Sequence, residues 1–220
     1  TDKSLTITTQ EGYEYSVDGE NWHSGTGSYT FTNLDSGKVY NLVCRTAEVN
    51  TGNTSAASDA SDALSVTTKN AAPAAPSLTF SSITADSVTI TAVTGAEYSK
   101  DNGAVWQDIN AFTGLSAATQ YTFAIRIKET AGTAAGTMAS QAQYTAAVTP
   151  GAGVGYTVNY NTETISITSG YEVSIDSSFV SDKLLSNGAA ITPGTIYYVR
   201  KAVDTTTTPN TPASAFVSFT

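Results

Sequence analysis

Apolar and hydroxyl-bearing residues alternate along most of this chain with a period of two. "SLTITT", "SVTITAV" and "TISITS" place Leu5 with Ile7, Val88 with Ile90, and Ile165 with Ile167 on one face each. Such alternation predicts half-buried β-strands. The same pattern returns further on. Tyr13, Tyr15 and Val17 share a face, as do Tyr171, Val173 and Ile175. Tyr40, Leu42 and Cys44 alternate, matched by Tyr121, Phe123 and Ile125, while Arg45, Arg126 and Arg200 fall on the opposite, solvent phase. "ALSVTT", "QYTAAVTP" and "AFVSFT" read as closing strands. No segment carries a sustained helical period with caps, so the chain is expected to be all-β.

The strand pattern occurs in three copies. Gly12, Gly95 and Gly170 open "GYEYSVD", "GAEYSKD" and "GYEVSID". Leu34, Leu115 and Ile191 each precede a tyrosine by six residues: Tyr40, Tyr121 and Tyr197. From opening glycine to tyrosine the counts are 28, 26 and 27. Self-similarity at a fixed period marks a repeat architecture. Short strands separated by Gly, Asn, Asp and Pro turns favour three tandem antiparallel β-sandwiches in an elongated array. Their expected ranges are 1–70, 71–150 and 151–220. "NAAPAAP" reads as a short, semi-extended connector, and "TPGAGVG" as a looser one. The first copy begins almost at once with "SLTITT", which leaves no room for a full first strand. The chain is therefore expected to be part of a longer array, or to take that strand from elsewhere.

The phrases "NLDSGKVY", "GLSAATQY" and "ITPGTIYYVR" resemble the leucine–turn–tyrosine signature of fibronectin type III-like and immunoglobulin-like repeats of bacterial surface proteins. The resemblance covers nearly the whole chain. It implies that Tyr40, Tyr121 and Tyr197 enter the core beside Leu34, Leu115 and Ile191. It says almost nothing about activity, because many functions share this scaffold. There is no RGD tripeptide, so integrin binding of that kind has no support. "SKDNGAVW", Ser99 to Trp106, also looks like the Asp box of sialidase propellers. A propeller needs at least four blades, and this chain has two such phrases. We read each phrase as a hairpin held by Asp18 or Asp101, with Trp22 or Trp106 folded back on the sheet. In the third copy Phe179 or a neighbour replaces the tryptophan.

Composition narrows the function classes. Charged residues make up 13% of the chain, about half the usual share. The net charge is −9, and ten Lys plus Arg spread along the chain form no basic patch for nucleic acid. The acidity is dispersed and reads as solubility. No apolar run reaches the length of a membrane span, so this segment is not expected to insert. A single cysteine, Cys44, permits no internal disulfide, and its apolar phase reads as a small buried hydrophobe.

Catalytic signals are weak. His23 is the sole histidine, and the second copy has Gln107 in its place. There is no G-x-S-x-G elbow, no clustered His and Cys for zinc, and no phosphate-binding loop followed by a helix. Glu48, Asp59 and Asp62 lack the spacing of a calcium loop. Lys3 and Lys201 are weak candidates for a lysine–asparagine isopeptide bond. Trp22 and Trp106, with Tyr29 or Tyr160, could stack on sugar rings; core or hairpin packing is the commoner fate of such rings.

The resulting expectation is a non-enzymatic spacer or adhesion segment of a bacterial cell-surface or secreted protein. It would need no cofactor and would be anchored through parts outside this chain. Its candidate partners are a glycan or a host or neighbouring surface protein. The alternative is a carbohydrate- or protein-binding accessory module of a larger extracellular enzyme. Open, flat tryptophans would favour the alternative, and tryptophans packed under their hairpins the spacer.

Overall fold

A computed structural model describes residues 1–50, 52 and 55–220. The first copy supplies β1 (Leu5–Thr8), β2 (Tyr13–Ser16), β3 (His23–Ser24), β4 (Ser28–Phe31), β5 (Val39–Thr46) and β6 (Leu64–Thr67). The second supplies β7 (Phe80–Ile83), β8 (Val88–Ile90), β9 (Ala96–Ser99), β10 (Ala111–Phe112), β11 (Gln120–Ile127) and β12 (Ala139–Tyr144). The third supplies β13 (Tyr156–Asn159), β14 (Thr164–Ile167), β15 (Tyr171–Ser174), β16 (Tyr197–Lys201) and β17 (Val217–Phe219). Among the described residues the only helical element is a single 3-10 turn, Ser181–Lys183.

Each copy builds two antiparallel sheets. They run β3-β2-β5-β6 and β1-β4 in the first copy, β12-β11-β9 and β10-β8-β7 in the second, and β15-β16-β17 and β13-β14 in the third. This is the two-layer arrangement in which inward residues of both sheets meet. Threonine serves the outer faces: Thr6 and Thr30, opposite one another, pair through their hydroxyls at 2.9 Å.

The second copy has the most complete core. Val88, Ile90, Phe123 and Ile125 are fully buried. Phe123 is its hub, with Phe80 and Phe112 both at 5.5 Å between ring centroids and Tyr121 at 6.1 Å. The third copy packs Ile165, Val173, Tyr197 and Val199 together, with Tyr156 stacked on Phe219 at 3.8 Å. In the first copy Phe31 is the only apolar side chain buried to this degree among the described residues. Leu5, Ile7, Leu42 and Cys44 are all half-buried. Cys44 is therefore not the buried hydrophobe expected from its phase. In the second copy β8 is flanked by β10 and β7; in the first, β1 is paired with β4.

Two compact units emerge: 1–75 with 127–137, and 76–126 with 138–220. The second and third copies fall in one unit. Within it Ala147 N–H donates to Pro212 O, and Gln120 Nε2 to Thr208 O at 3.0 Å. The loop 127–137 belongs with the first copy. Asn70 N–H donates to Gly132 O, Ala134 N–H to Asn70 O, and Thr137 N–H to Pro73 O. Lys69 pairs with Glu129. "NAAPAAP" is thus not a free connector, because its carbonyls are acceptors for this loop.

Core truncation should follow these differences. Phe123→Ala is expected to cost roughly 3–5 kcal/mol, and Leu42→Ala at most about half of that, because the residue is half-exposed already. Urea titration reads both, with Trp106 or Trp22 as the single fluorescent reporter after replacing the other by Phe.

Candidate functional site

Three polar devices recur, and they account for most of the residues singled out in the sequence. The first is the hairpin after the opening glycine. Ser16, Ser99 and Ser174 are fully buried at the ends of β2, β9 and β15. Ser16 Oγ donates to Asp18 Oδ1 at 2.8 Å and accepts Asp18 and Gly19 N–H groups. Ser99 Oγ likewise donates to Asp101 Oδ1 at 2.6 Å and accepts from Asp101 and Gly103. The aspartates close the turn from outside. Asp18 accepts from Glu20 N, Asn21 N and Asn21 Nδ2, and Asp101 accepts from Val105 N. In the third copy Ser174 Oγ accepts Asp176 N–H, and Asp176 accepts from Ser178 N. Turn N–H groups that would otherwise lack partners are satisfied in this way.

These bonds favour ionised carboxylates. Asp18 is held well below the usual carboxylate range, chiefly by the Asn21 side chain, then by the Asn21 and Glu20 amides and Ser16. Asp101 is lowered by Ser99 first and then by Val105 N–H.

The second device is a stack of carboxylate, guanidinium and aromatic ring. Arg45 lies 4.1 Å over the Trp22 ring and pairs with Glu14 at 2.9 Å. Arg126 lies 4.2 Å over Trp106 and pairs with Glu97 at 2.6 Å. Arg200 lies 4.1 Å over Phe179 and pairs with Glu172. The strand register builds the pair, since Glu14 faces Arg45 and Glu172 faces Arg200. Phe179 is thus the third copy's replacement for tryptophan. It holds a left-handed backbone, φ 53°, which a bulky residue rarely adopts. Gly103 serves the same device, because a Cβ there would sit 3.0 Å from Trp106 Cζ2. Both tryptophans are half-buried, each with a face under its arginine. Neither is a bare flat platform.

The third device uses tyrosine hydroxyls. Asp35 N–H donates to Tyr40 Oη at 2.8 Å, Ser116 N–H to Tyr121 Oη at 3.1 Å, and Thr192 N–H to Tyr197 Oη at 2.8 Å. Each bond reaches back five residues to fix the turn before the strand, the geometry of a tyrosine corner. Of the three rings only Tyr197 is deeply buried, at 4% exposed; Tyr40 and Tyr121 are half-buried. Leu115 is buried, while Leu34 and Ile191 are half-buried. Keeping the hydroxyl at the turn holds these rings at the rim of the core. Tyr15 and Tyr98 make similar bonds, to Gln10 N and Val93 N.

The other sequence candidates do not converge. His23 stacks on Tyr29 at 4.3 Å. Tyr160 is 84% exposed at the mouth of a groove of about 240 Å³ lined by Tyr156, Val158, Pro193 and Phe219. Glu48, Asp59 and Asp62 are exposed, and among the described residues no three His, Cys, Asp or Glu side chains are grouped to hold a metal ion. Lys3 and Lys201 are exposed, so neither is the buried lysine that an isopeptide cross-link needs. Glu14, Glu97 and Glu172 were missed as partners of the arginines. Their signal was present, since each is the third letter of the repeated glycine phrase. Buried Thr68 and Thr145, which cross-bond the tyrosine turn to the closing strand, were missed as well.

Chemically, this arrangement orders turns. The serine hydroxyls lie beneath the backbone with their donors and acceptors engaged, so they cannot act as nucleophiles on a solvent-borne substrate.

No family model matches the chain, and no curated protein matches it. Solved structures similar to it include the two-domain fibronectin type III segment of chicken tenascin, at 15% identity over 66% of this chain and 94% of that one, with a TM-score of 0.28. The central fibronectin type III array of RIM-binding protein is 18% identical over 99% of this chain and 92% of that one, with a TM-score of 0.29. The geometry above, rather than these likenesses, defines the site.

Two outcomes test the devices. Tyr121→Phe keeps the ring and removes the acceptor of Ser116 N–H at an exposed turn, so a loss of about 0.5–1.5 kcal/mol is expected; thermal unfolding compared with Tyr121→Ala, at about 2 kcal/mol for this half-buried ring, separates hydroxyl from ring. For the aspartates, the folded pKa lies below the unfolded value near 3.9. Their contribution is therefore complete above that value and is lost as pH falls through the folded pKa. Carboxyl carbon NMR should find Asp18 titrating well below a free aspartate, and Asn21→Ala should move its midpoint upward.

Proposed function

We propose that the chain is a non-enzymatic spacer or adhesion segment made of three tandem sandwiches, spanning 1–70, 71–150 and 151–220, in a bacterial cell-surface or secreted protein. One observation carries this reading. The conspicuous polar and aromatic residues recur copy by copy and are spent on one another. Glu, Arg and ring satisfy each other in all three copies. Among the described residues, no buried side-chain nitrogen or oxygen lacks a partner. The low-charge, hydroxyl-rich surface suits an extracellular setting.

Single-molecule pulling from the two ends tests the reading. Each sandwich should unfold separately, releasing roughly 70–80 residues at about 3.4 Å each, or about 25 nm per event. A single event for the whole chain would refute the tandem reading. A glycan array is the companion measurement: saturable binding abolished by Trp22→Ala or Trp106→Ala would replace the spacer with a carbohydrate-binding module.

A further inference from the structure

We propose that the cleft where the second and third copies meet binds a short neutral oligosaccharide, held by Lys201, Asp204, Ser169 and Thr205. All of its walls belong to the unit formed by 76–126 with 138–220. The cleft has a volume of about 600 Å³, within the range of about 300–1,000 Å³ that holds small ligands. Ala118 and Ala147 line it from the second copy, and Tyr171, Lys201 and the loop 202–207 line it from the third.

The same junction is built twice, with different side chains. Gly37 N–H donates to Lys69 O as Ala118 N–H donates to Ala146 O. Asn70 N–H donates to Gly132 O as Ala147 N–H donates to Pro212 O. Ala118 and Ala147 therefore stand where Gly37 and Asn70 stand. At the earlier junction the Asn70 side chain takes the space over Gly37, since a Cβ on that glycine would meet Asn70 Oδ1 at 2.5 Å. Lys69 beside it is spent on Glu129. At the later junction Ala147 and Ala146 replace Asn70 and Lys69, and the space stays open.

The polar groups around this opening are not spent on one another, unlike those of the three devices. Lys201 Nζ lies 5.9 Å from the centroid of the Tyr171 ring and makes no ion pair among the described residues. Asp204 uses Oδ1 for the amide and the hydroxyl of Thr206, at 2.9 and 2.6 Å, which leaves Oδ2 without a protein partner among the described residues. The Thr206 side chain, and then its amide, hold the Asp204 carboxyl below the usual range, so it remains an ionised acceptor. The Ser169 and Thr205 hydroxyls also lack protein partners among the described residues.

This set of groups selects the class of ligand. Lys201 and Asp204 are the charged residues that line the cleft. Their charges cancel, which favours neither an anion nor a cation. Lysine donates, the carboxylate accepts, and each hydroxyl does both. The ligand must therefore offer donors and acceptors side by side, with an apolar face for Tyr171, Ala118 and Ala147. A sugar ring, with neighbouring hydroxyls around an apolar face, has this make-up. The inference rests on the junction geometry. It stands whether or not the array is a spacer, and neither tryptophan lines the cleft.

The test titrates the whole isotope-labelled chain with maltose, lactose, cellobiose and diacetylchitobiose, and follows the amide NMR signals. Shifts should saturate with one or more of these sugars and map to Ala118, Ala147, Gly170 and 202–206. Asp204→Asn keeps an acceptor for Thr206 and should weaken binding at least about tenfold, the loss of a charge-assisted hydrogen bond. The double variant Ala118→Gly, Ala147→Asn installs the filling of the earlier junction and should weaken binding to a similar degree. Signals remote from the cleft report that each variant is folded. Absence of saturable shifts with all of the sugars would overturn the proposal, as would saturable shifts centred on Trp22 or Trp106. Binding that Asp204→Asn leaves intact would overturn it too. Inorganic phosphate is the control for an anion site. If it saturates the same amides, and Lys201→Gln abolishes this while Asp204→Asn does not, the sugar assignment fails.

Discussion

In each copy the long strand β5, β11 or β16 must have its apolar face covered by the opposite sheet, and the behaviour of the copy follows from how fully this is done. The second copy covers Phe123 with Phe80 from β7 and Phe112 from β10. The third uses a different solution, with Tyr156, Tyr197 and Phe219 stacked beside Val199. In the first, Leu42 and Cys44 of β5 stay half-exposed. Burial of apolar area is the largest favourable contribution to folding. The copies therefore differ most in this respect, even though their polar devices are nearly the same.

The polar devices act second, by fixing where the strands begin and turn. A guanidinium over a ring contributes about 0.5–2 kcal/mol, less than the burial of one large side chain in a complete core. Their value is geometric. The glutamate pins the arginine across the strand pair, the arginine pins the aromatic ring, and the ring holds down the hairpin that Ser and Asp have closed. The tyrosine hydroxyl does the same for the turn before the long strand. Each such bond contributes about 0.5–1.5 kcal/mol net, and its larger effect is to fix the turn.

Much of this was legible in the sequence, and the limits have physical causes. Period-two alternation revealed the strands, because Cβ direction alternates along an extended backbone. The glycine and tyrosine phrases revealed the copies. The phase of Arg45, Arg126 and Arg200 was readable, but their partners were not. To pair Glu14 with Arg45 one must know that β2 lies beside β5 and in which register, and that depends on residues thirty apart. Tyr40 and Tyr121 were expected deeper because pattern reports the face a ring lies on, not that its hydroxyl must stay at a turn. "NAAPAAP" has the composition of a free connector, yet Pro73 O accepts both the amide and the hydroxyl of Thr137. That partner lies 64 residues away, beyond the reach of local pattern.

The three copies show how one set of polar devices accompanies different packing. Serine and aspartate close the hairpin, glutamate and arginine hold the ring, and a tyrosine hydroxyl fixes the turn at matching places in all three copies. The apolar residues they frame differ: Phe123 with Phe80 and Phe112 in the second copy, and Tyr156, Tyr197 and Phe219 in the third. A hydrogen bond demands particular atoms at a particular distance and angle, whereas a core demands filled volume that several sets of side chains can supply. The polar devices therefore recur as phrases of fixed spacing, and the core changes from copy to copy.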